Sequence, residues 1–292
     1  MVRAPHTITR VNLREFGLSD AQAERVGGWF PDAHVVAEHG WGLVATAVVQ
    51  LRTPDGDVIV KAGGAGDHHI ARELRCHREW LRPWTDIGRA PVLLHGDPDI
   101  KLLATRYLPG RLVLGDPSAA AADTFRQAGH LLSLLHGQSR RPDPGYEAAE
   151  NARTRAWLAG PHALAPETVA RLHDEIGSWP EPPAALVPTH GDWQPRNWIV
   201  AGGVVSVIDF GRAALRPAMS DFSRLAARDF RDDPELERAF LDGYGPDPRE
   251  ADAWRRTRVR EAVGTACWAH QVGDAAFEAH GHRMIADVLG AS

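Results

Sequence analysis

The stretch THGDWQPRNWIV at 189–200, with VSVIDFGRA close behind it at 205–213, constrains this chain more than any other part of it. Asp192 and Asn197 stand five apart around Pro195, and Asp209 follows twelve residues after Asn197. An acid and an amide with no apolar partner face, placed around a proline, do not make a helix. The segment reads as a fixed loop between two short strands, then a strand that ends in an acid. Three oxygen-bearing side chains held on rigid loops at strand ends can supply one base and two ligands for a hard cation such as Mg²⁺.

The rest of the composition bounds the partners. A length of 292 residues favours one or two domains with a large core. The net charge of −5 argues against a nucleic-acid partner, which would call for a basic excess or stripe. No apolar run approaches the roughly 20 residues that span a bilayer, so no membrane partner is expected. The N-terminal residues lack an apolar signal core, and the expectation is a cytoplasmic protein. Cys76 and Cys267 give no reason to form a disulfide and are expected as reduced thiols. Nothing in the pattern favours a monomer over a dimer.

Along the chain, 17–31 predicts a short helix capped by Ser19 or Asp20. Strand-rich runs follow at 34–38, 44–52 and 57–62, the last two joined by an Asp-Gly hairpin turn. Residues 66–83 predict a helix with Ile70, Leu74, Trp80 and Leu81 on its apolar face, ended by Pro83. Strands at 91–95 and 100–107 come next. At Leu108-Pro109-Gly110 the strand pattern stops. Helices are expected at 118–137 (apolar through Phe125, Ala128, Leu131, Leu132 and Leu135), 146–159 and 166–178. The run PEPPAALVP breaks the pattern, strands return near 199–201 and 204–208, and 220–292 reads as further helices. The expected domains are a β-rich one at 1–107 and a helical one at 108–292.

Of the 33 basic residues only Lys61 and Lys101 are lysines. A lysine kept in so arginine-rich a chain is a candidate for work that needs a compact ammonium. Lys61 ends the strand VIVK, two strands after GWG at 40–42. That glycine turn opens a strand, not a helix, so it is not a dinucleotide fingerprint. It fits either an ordinary hairpin or a loop folding over phosphates. Glu73 and Glu79 on the next helix are rival partners for Lys61; the bland alternative for either is a solvated helix charge. No G-x-x-x-x-G-K-[ST] is present. The histidines match no zinc spacing, and no G-x-S-x-G supports a serine hydrolase. His136 reads as a packed or capping residue, and Trp193 and Trp198 as core and cleft wall.

Gly turn, strand lysine, helix glutamate, hinge, HGDWQPRN at 190–197 and IDFG at 208–211 occur in that order. This order resembles the aminoglycoside phosphotransferase family, the small-molecule branch of the protein-kinase-like fold, over nearly the whole chain. The resemblance implies an α+β, bilobal protein-kinase-like fold with a small β-rich N-lobe and a larger, mainly helical C-lobe. It implies an enzyme that moves phosphate from ATP or GTP to a hydroxyl of a small molecule, an aminoglycoside-like or other antibiotic. By position, Asp192 would take or orient the acceptor proton. Asn197 and Asp209 would hold Mg²⁺, Lys61 would contact the phosphates and pair with Glu73, and Gly40 and Gly42 would cover them. Backbone groups of Thr105, Arg106, Tyr107 and Leu108 would receive the purine. His190 would brace the loop and Asp221 would stabilise it.

The chain departs from the family two residues after Asp192, where a cationic or histidine side chain is common and this chain has Gln194. Arg196, and after it Arg212, are the candidates to supply the missing charge. Acids at Asp229, Asp232, Asp233, Glu235 and Glu237 would suit a cationic aminoglycoside, or simply form a solvated face. The rival functions are a metabolic kinase of the same fold for a sugar, amino alcohol or natural product, and an inactive nucleotide-binding relative.

Overall fold

The computed structural model describes residues 13–39 and 46–290. Gly40 and Gly42, and with them the expected phosphate-covering turn, lie outside the described residues. Helix α1 (Asp20–Trp29) opens on a reciprocal cap in which Ser19 and Gln22 each bond the other's backbone. Strands β1 (His34–Glu38), β2 (Thr46–Thr53) and β3 (Gly56–Gly63) follow, the last two in register from Thr46↔Gly63 to Thr53↔Gly56. Helix α2 (His69–Glu79) ends before Pro83, which instead sits in the first turn of a separate short helix, α3 (Arg82–Thr85). Proline has no N–H to lose at that position, so it starts this helix where it was expected to end the previous one.

Next come β4 (Leu93–Asp97), β5 (Leu102–Arg106) and a short β6 (Arg111–Leu112). Helix α4 (Ala122–His136) buries the five apolar residues its period predicts. Strand β7 (Arg141–Asp143), α5 (Tyr146–Ala159) and α6 (Pro166–Gly177) precede β8 (Ala184–Thr189). This last strand occupies the run that proline content alone marks as broken. Its ladder with β7 covers Ala184–Leu186, and Pro188 lies past that ladder. Strands β9 (Trp198–Ala201), β10 (Val204–Val207) and β11 (Ala214–Arg216) follow. The chain then closes with α7 (Ser223–Ala227), α8 (Asp229–Asp232), α9 (Pro234–Tyr244), α10 (Ala251–Val272) and α11 (Ala275–Gly290).

Three sheets result, in the orders β1-β2-β3-β5-β4, β10-β9-β6 and β11-β8-β7. The chain divides into two compact units. The first runs through Ala119 and takes back Pro195–Ala214, so it owns β9 and β10; the second holds Ala120–Gln194 and the residues from Leu215 onward. The division thus falls later than 107/108, and the motif stretch is split between the two. One face of the five-stranded sheet packs Val49, Leu51, Val58, Val60, Leu102 and Ala104 with Leu18 and Val26. The second unit has its own core, in which Leu158, Leu172 and Ile176 meet Val259, Val263, Cys267 and Ile285. Both cysteines are buried and neither is in a disulfide, and among the described residues no helix is long and apolar enough to cross a membrane.

Helices α4 and α9 approach so closely that glycine is required on both. A Cβ on Gly129 would stand 2.0 Å from the Phe240 carbonyl oxygen, and one on Gly243 would stand 1.9 Å from that of Arg126. Both obstacles are backbone and cannot turn aside. Gly243→Ala is therefore expected to destabilise the fold by about 3 kcal/mol, the upper end of overpacking costs. Urea unfolding checks this, and a loss under about 1 kcal/mol would mean the helix pair can part freely.

Candidate active site

In the first unit three charged side chains converge. Lys61, on β3, is aligned opposite Val48 and Leu103 by its neighbouring strands. Its Nζ donates to Glu73 Oε1 at 2.9 Å and Oε2 at 3.0 Å, and to Asp209 Oδ1 at 3.3 Å. Glu73 lies on the inward face of α2 with Ile70 and Leu74, which settles the rivalry with Glu79 by helical phase. Burial alone would lower the Lys61 ammonium, but the Asp209 and Glu73 carboxylates outweigh it and hold it above its ordinary value. Burial pushes Glu73 up, and Lys61 offsets this only in part.

Asp209 and Asn197 are carried by one hairpin. Strands β9 and β10 pair with Trp198 opposite Val207, and the Ile208 N–H donates to the Asn197 carbonyl at 3.0 Å. Asn197 just before β9 and Asp209 just after β10 therefore flank the same hairpin end. Asp209 has φ +68°, a left-handed conformation that a non-glycine residue adopts at a cost. Its side chain is 47% exposed. Among the described residues no group of three or more His, Cys, Asp or Glu could hold a metal alone. A carboxylate and an amide oxygen on one hairpin end fit a hard cation that takes its other oxygens from phosphate and water, as Mg²⁺ does.

The expected purine-binding segment is more restricted than the resemblance implies. Thr105 is buried in the sheet, opposite Ile59 and Leu93. The Arg106 N–H donates to Val92 and the Tyr107 N–H to Asp57. Two of the expected amide donors are thus committed to protein carbonyls. The Leu108 N–H has no partner among the described residues.

In the second unit the loop after β8 is held by a buried carboxylate. Asp221 accepts from the His190 N–H at 2.8 Å and the Gly191 N–H at 2.7 Å. Gly191, at φ +79°, makes the turn that aims both amides at it. His136 Nε2 lies 3.1 Å from Asp221 Oδ2, and its Nδ1 lies 2.9 Å from the Tyr244 hydroxyl. His136 is therefore packed, and it is also the third support of the loop's anchor, a role its spacing does not announce. Burial would raise the Asp221 carboxyl, but its hydrogen bond with His136 leads the effects that bring it below its ordinary range. His190 Nδ1 accepts from the Asp192 N–H at 3.3 Å, and its ring meets Trp193 edge-on.

Asp192 itself is almost fully buried. Its Oδ1 accepts from Gln194 Nε2 at 2.5 Å and lies 3.1 Å from Arg224 Nε in an ion pair. The Arg224 guanidinium also reaches Glu261 Oε1 on α10 at 3.5 Å. Burial would lower Arg224, but the Glu261, Asp192 and Asp221 carboxylates together raise it. Arg224 is thus a cation facing Asp192 in this unit, one that the sequence analysis does not name. Arg196 and Asn197 share the 3₁₀ turn Pro195–Asn197 of the first unit, with Asn197 buried and Arg196 half-buried. Trp193 and Trp198 are core residues.

Three of the five acids expected to attract a cationic ligand, Asp233, Glu235 and Glu237, are engaged by a cap or an arginine. Asp233 caps α9 by accepting from the Glu235 N–H at 2.9 Å, Glu235 pairs with Arg238, and Glu237 pairs with Arg249 at 2.6 Å.

The profile of the phosphotransferase enzyme family matches residues 42–254. No curated protein sequence matches the chain. Among solved structures, the aminoglycoside phosphotransferase APH(4)-Ia is similar with a TM-score of 0.70 at 13% identity, over 94% of this chain and all of the other. Choline kinase LicA from Streptococcus pneumoniae is similar with a TM-score of 0.65 at 14% identity, over 92% of this chain and 97% of the other. Macrolide 2'-phosphotransferase MphH from Brachybacterium faecium is similar with a TM-score of 0.58 at 18% identity, over 89% of this chain and 95% of the other. A further structure of APH(4)-Ia is a ternary complex with ADP and hygromycin B. At these identities the likenesses show the fold, which is protein-kinase-like and α+β.

Proposed function

The chain belongs to the phosphotransferase enzyme family and is a small-molecule kinase with a hydroxyl acceptor, and on that premise we propose that it moves the γ-phosphate of ATP or GTP, in the cytoplasm, to an antibiotic or a similar natural product. The observation that carries this reading is the set Lys61–Glu73–Asp209 beside Asn197, a cation and oxygen ligands held ready for phosphate. Phosphoryl transfer through a loose transition state asks for positioning and charge neutralisation more than covalent chemistry. Lys61 binds phosphate oxygens as a point charge, and Glu73 fixes where that charge sits. Asn197 and Asp209 would hold Mg²⁺, which supplies neutralisation of the phosphate oxygens when bound. Asp192 orients the acceptor hydroxyl and takes its proton as the new O–P bond forms and the nucleoside diphosphate leaves. The free Leu108 amide is the hinge donor best suited to the purine.

The test is ³¹P detection of product when the purified protein, with Mg²⁺ and ATP or GTP, meets a panel of aminoglycosides, macrolides, sugars and amino alcohols. Phosphorylation of an antibiotic, with resistance in a sensitive host, is the expected result. Turnover of a metabolite alone would favour the metabolic kinase. That second reading has one observation in its favour, since the acids at 233–237 are consumed by caps and ion pairs and offer a cationic aminoglycoside little. No transfer to any member would overturn both.

A further inference from the structure

Gln194 leaves this chain without a cation two residues after Asp192, yet Asp192 is not without one. Arg224 arrives from α7, a different element, and places Nε 3.1 Å from Asp192 Oδ1. Gln194 Nε2 donates to the same oxygen at 2.5 Å, so an amide donor and an ion-paired guanidinium from two elements meet at one carboxylate oxygen. Arg224 is in turn held by Glu261 on α10 and stands three residues after Asp221, whose carboxylate fixes the backbone of the same loop. One short segment, 221–224, thus secures the loop twice, once through its amides and once through its acid.

We propose that Arg224 is a positioning residue for phosphoryl transfer: it holds the Asp192 carboxylate ionised and oriented toward the acceptor hydroxyl, and Glu261 holds Arg224. The proposal rests on the role assigned above to Asp192. The physical basis is the low exposure of the pair, with side chains 20% and 3% exposed for Arg224 and Asp192. A carboxylate so placed is costly to keep charged without a partner, and a guanidinium close by offsets that cost. Charged and titratable groups near Asp192 include Arg224 from α7, His190 of its own loop, Glu261 behind Arg224 and Asp221 beside the same arginine. Glu261 also lines an open cavity of about 240 Å³ with Ser223, Arg258 and Met284, so its charge can be removed without repacking a sealed core.

The test begins without substrate. The Asp192 carboxyl carbon, ¹³C-labelled and assigned by its loss in Asp192→Asn, is titrated by NMR in the intact chain. In Arg224→Gln its midpoint is expected to rise, and in Arg224→Lys to rise by less. Glu261→Gln, which removes an anion and leaves the guanidinium, is expected to leave the midpoint level or lower it. A cluster that merely fills space would move neither midpoint, or both the same way, and either result overturns the proposal. With an accepted hydroxyl compound, Arg224→Gln is then expected to lower kcat about 10–100-fold, with nucleotide KM nearly unchanged and the acidic limb of the rate profile moved to higher pH. Arg224→Lys should recover part of kcat. Unchanged kcat beside a moved midpoint would overturn the positioning role. Absence of any transfer by the wild-type chain would instead defeat the assigned reaction, leaving the titration to judge the pairing by itself.

Discussion

Asp192→Ala is expected to lower kcat by about 10²–10⁴ while nucleotide affinity stays nearly unchanged. The split follows from where the residue sits. Asp192 belongs to the loop pinned by Asp221, whereas the side chains assigned to phosphate and metal, Lys61, Asn197 and Asp209, belong to the other compact unit. Removing the carboxylate takes away the group that directs the hydroxyl and accepts its proton, and touches nothing assigned to the nucleotide. The substitution also strips Arg224 of one anion. Breaking a fully buried pair costs about 3–5 kcal/mol, but Arg224 keeps Glu261 and is 20% exposed, so a smaller loss is expected. Melting curves and nucleotide calorimetry run beside the kinetics separate these effects. A folded variant turning over at near wild-type rate would remove Asp192 from the chemistry.

The parts of this site that were legible share a property: each is announced by its near neighbours in sequence. HGD-x-x-x-x-N and IDFG carry their own spacing, and Lys61 stands out because arginine has replaced lysine almost everywhere else. The same bias hid Arg224. In a chain where nearly every cation is arginine, one more on a helix gives no signal, and its pairing with Asp192 spans 32 positions that no local period links. His136 was legible as packed but not as the support of Asp221, because that contact joins α4 to a residue 85 positions away. The missed strands have a different cause. Prolines in 180–188 discourage any strand, yet β8 forms there, between β7 and β11. Which backbone amides of 105–108 stay open was not legible, since that depends on Val92 and Asp57 lying across from them.

Lys61→Met is expected to lower kcat/KM by about 10²–10³, the usual loss when one preorganised donor to a developing charge is removed. Lys61→Arg is expected to restore little of it. The ammonium sits within 3.3 Å of three carboxylate oxygens from two residues, a compact slot that suits a point charge with three donors. A planar guanidinium is wider and bonds through a fixed fork, so it cannot keep both Glu73 and Asp209 at these distances without displacing α2 or the hairpin end. Glu73→Gln separates charge from position. It leaves the ammonium its Asp209 contact but loosens its anchor, so kcat/KM should fall less than in Lys61→Met. Calorimetry with Mg²⁺ and a non-hydrolysable nucleotide reads the binding share of each loss. If Lys61→Arg works as well as wild type, the scarcity of lysine here reflects coding bias alone, and the compact ammonium is not what this site requires.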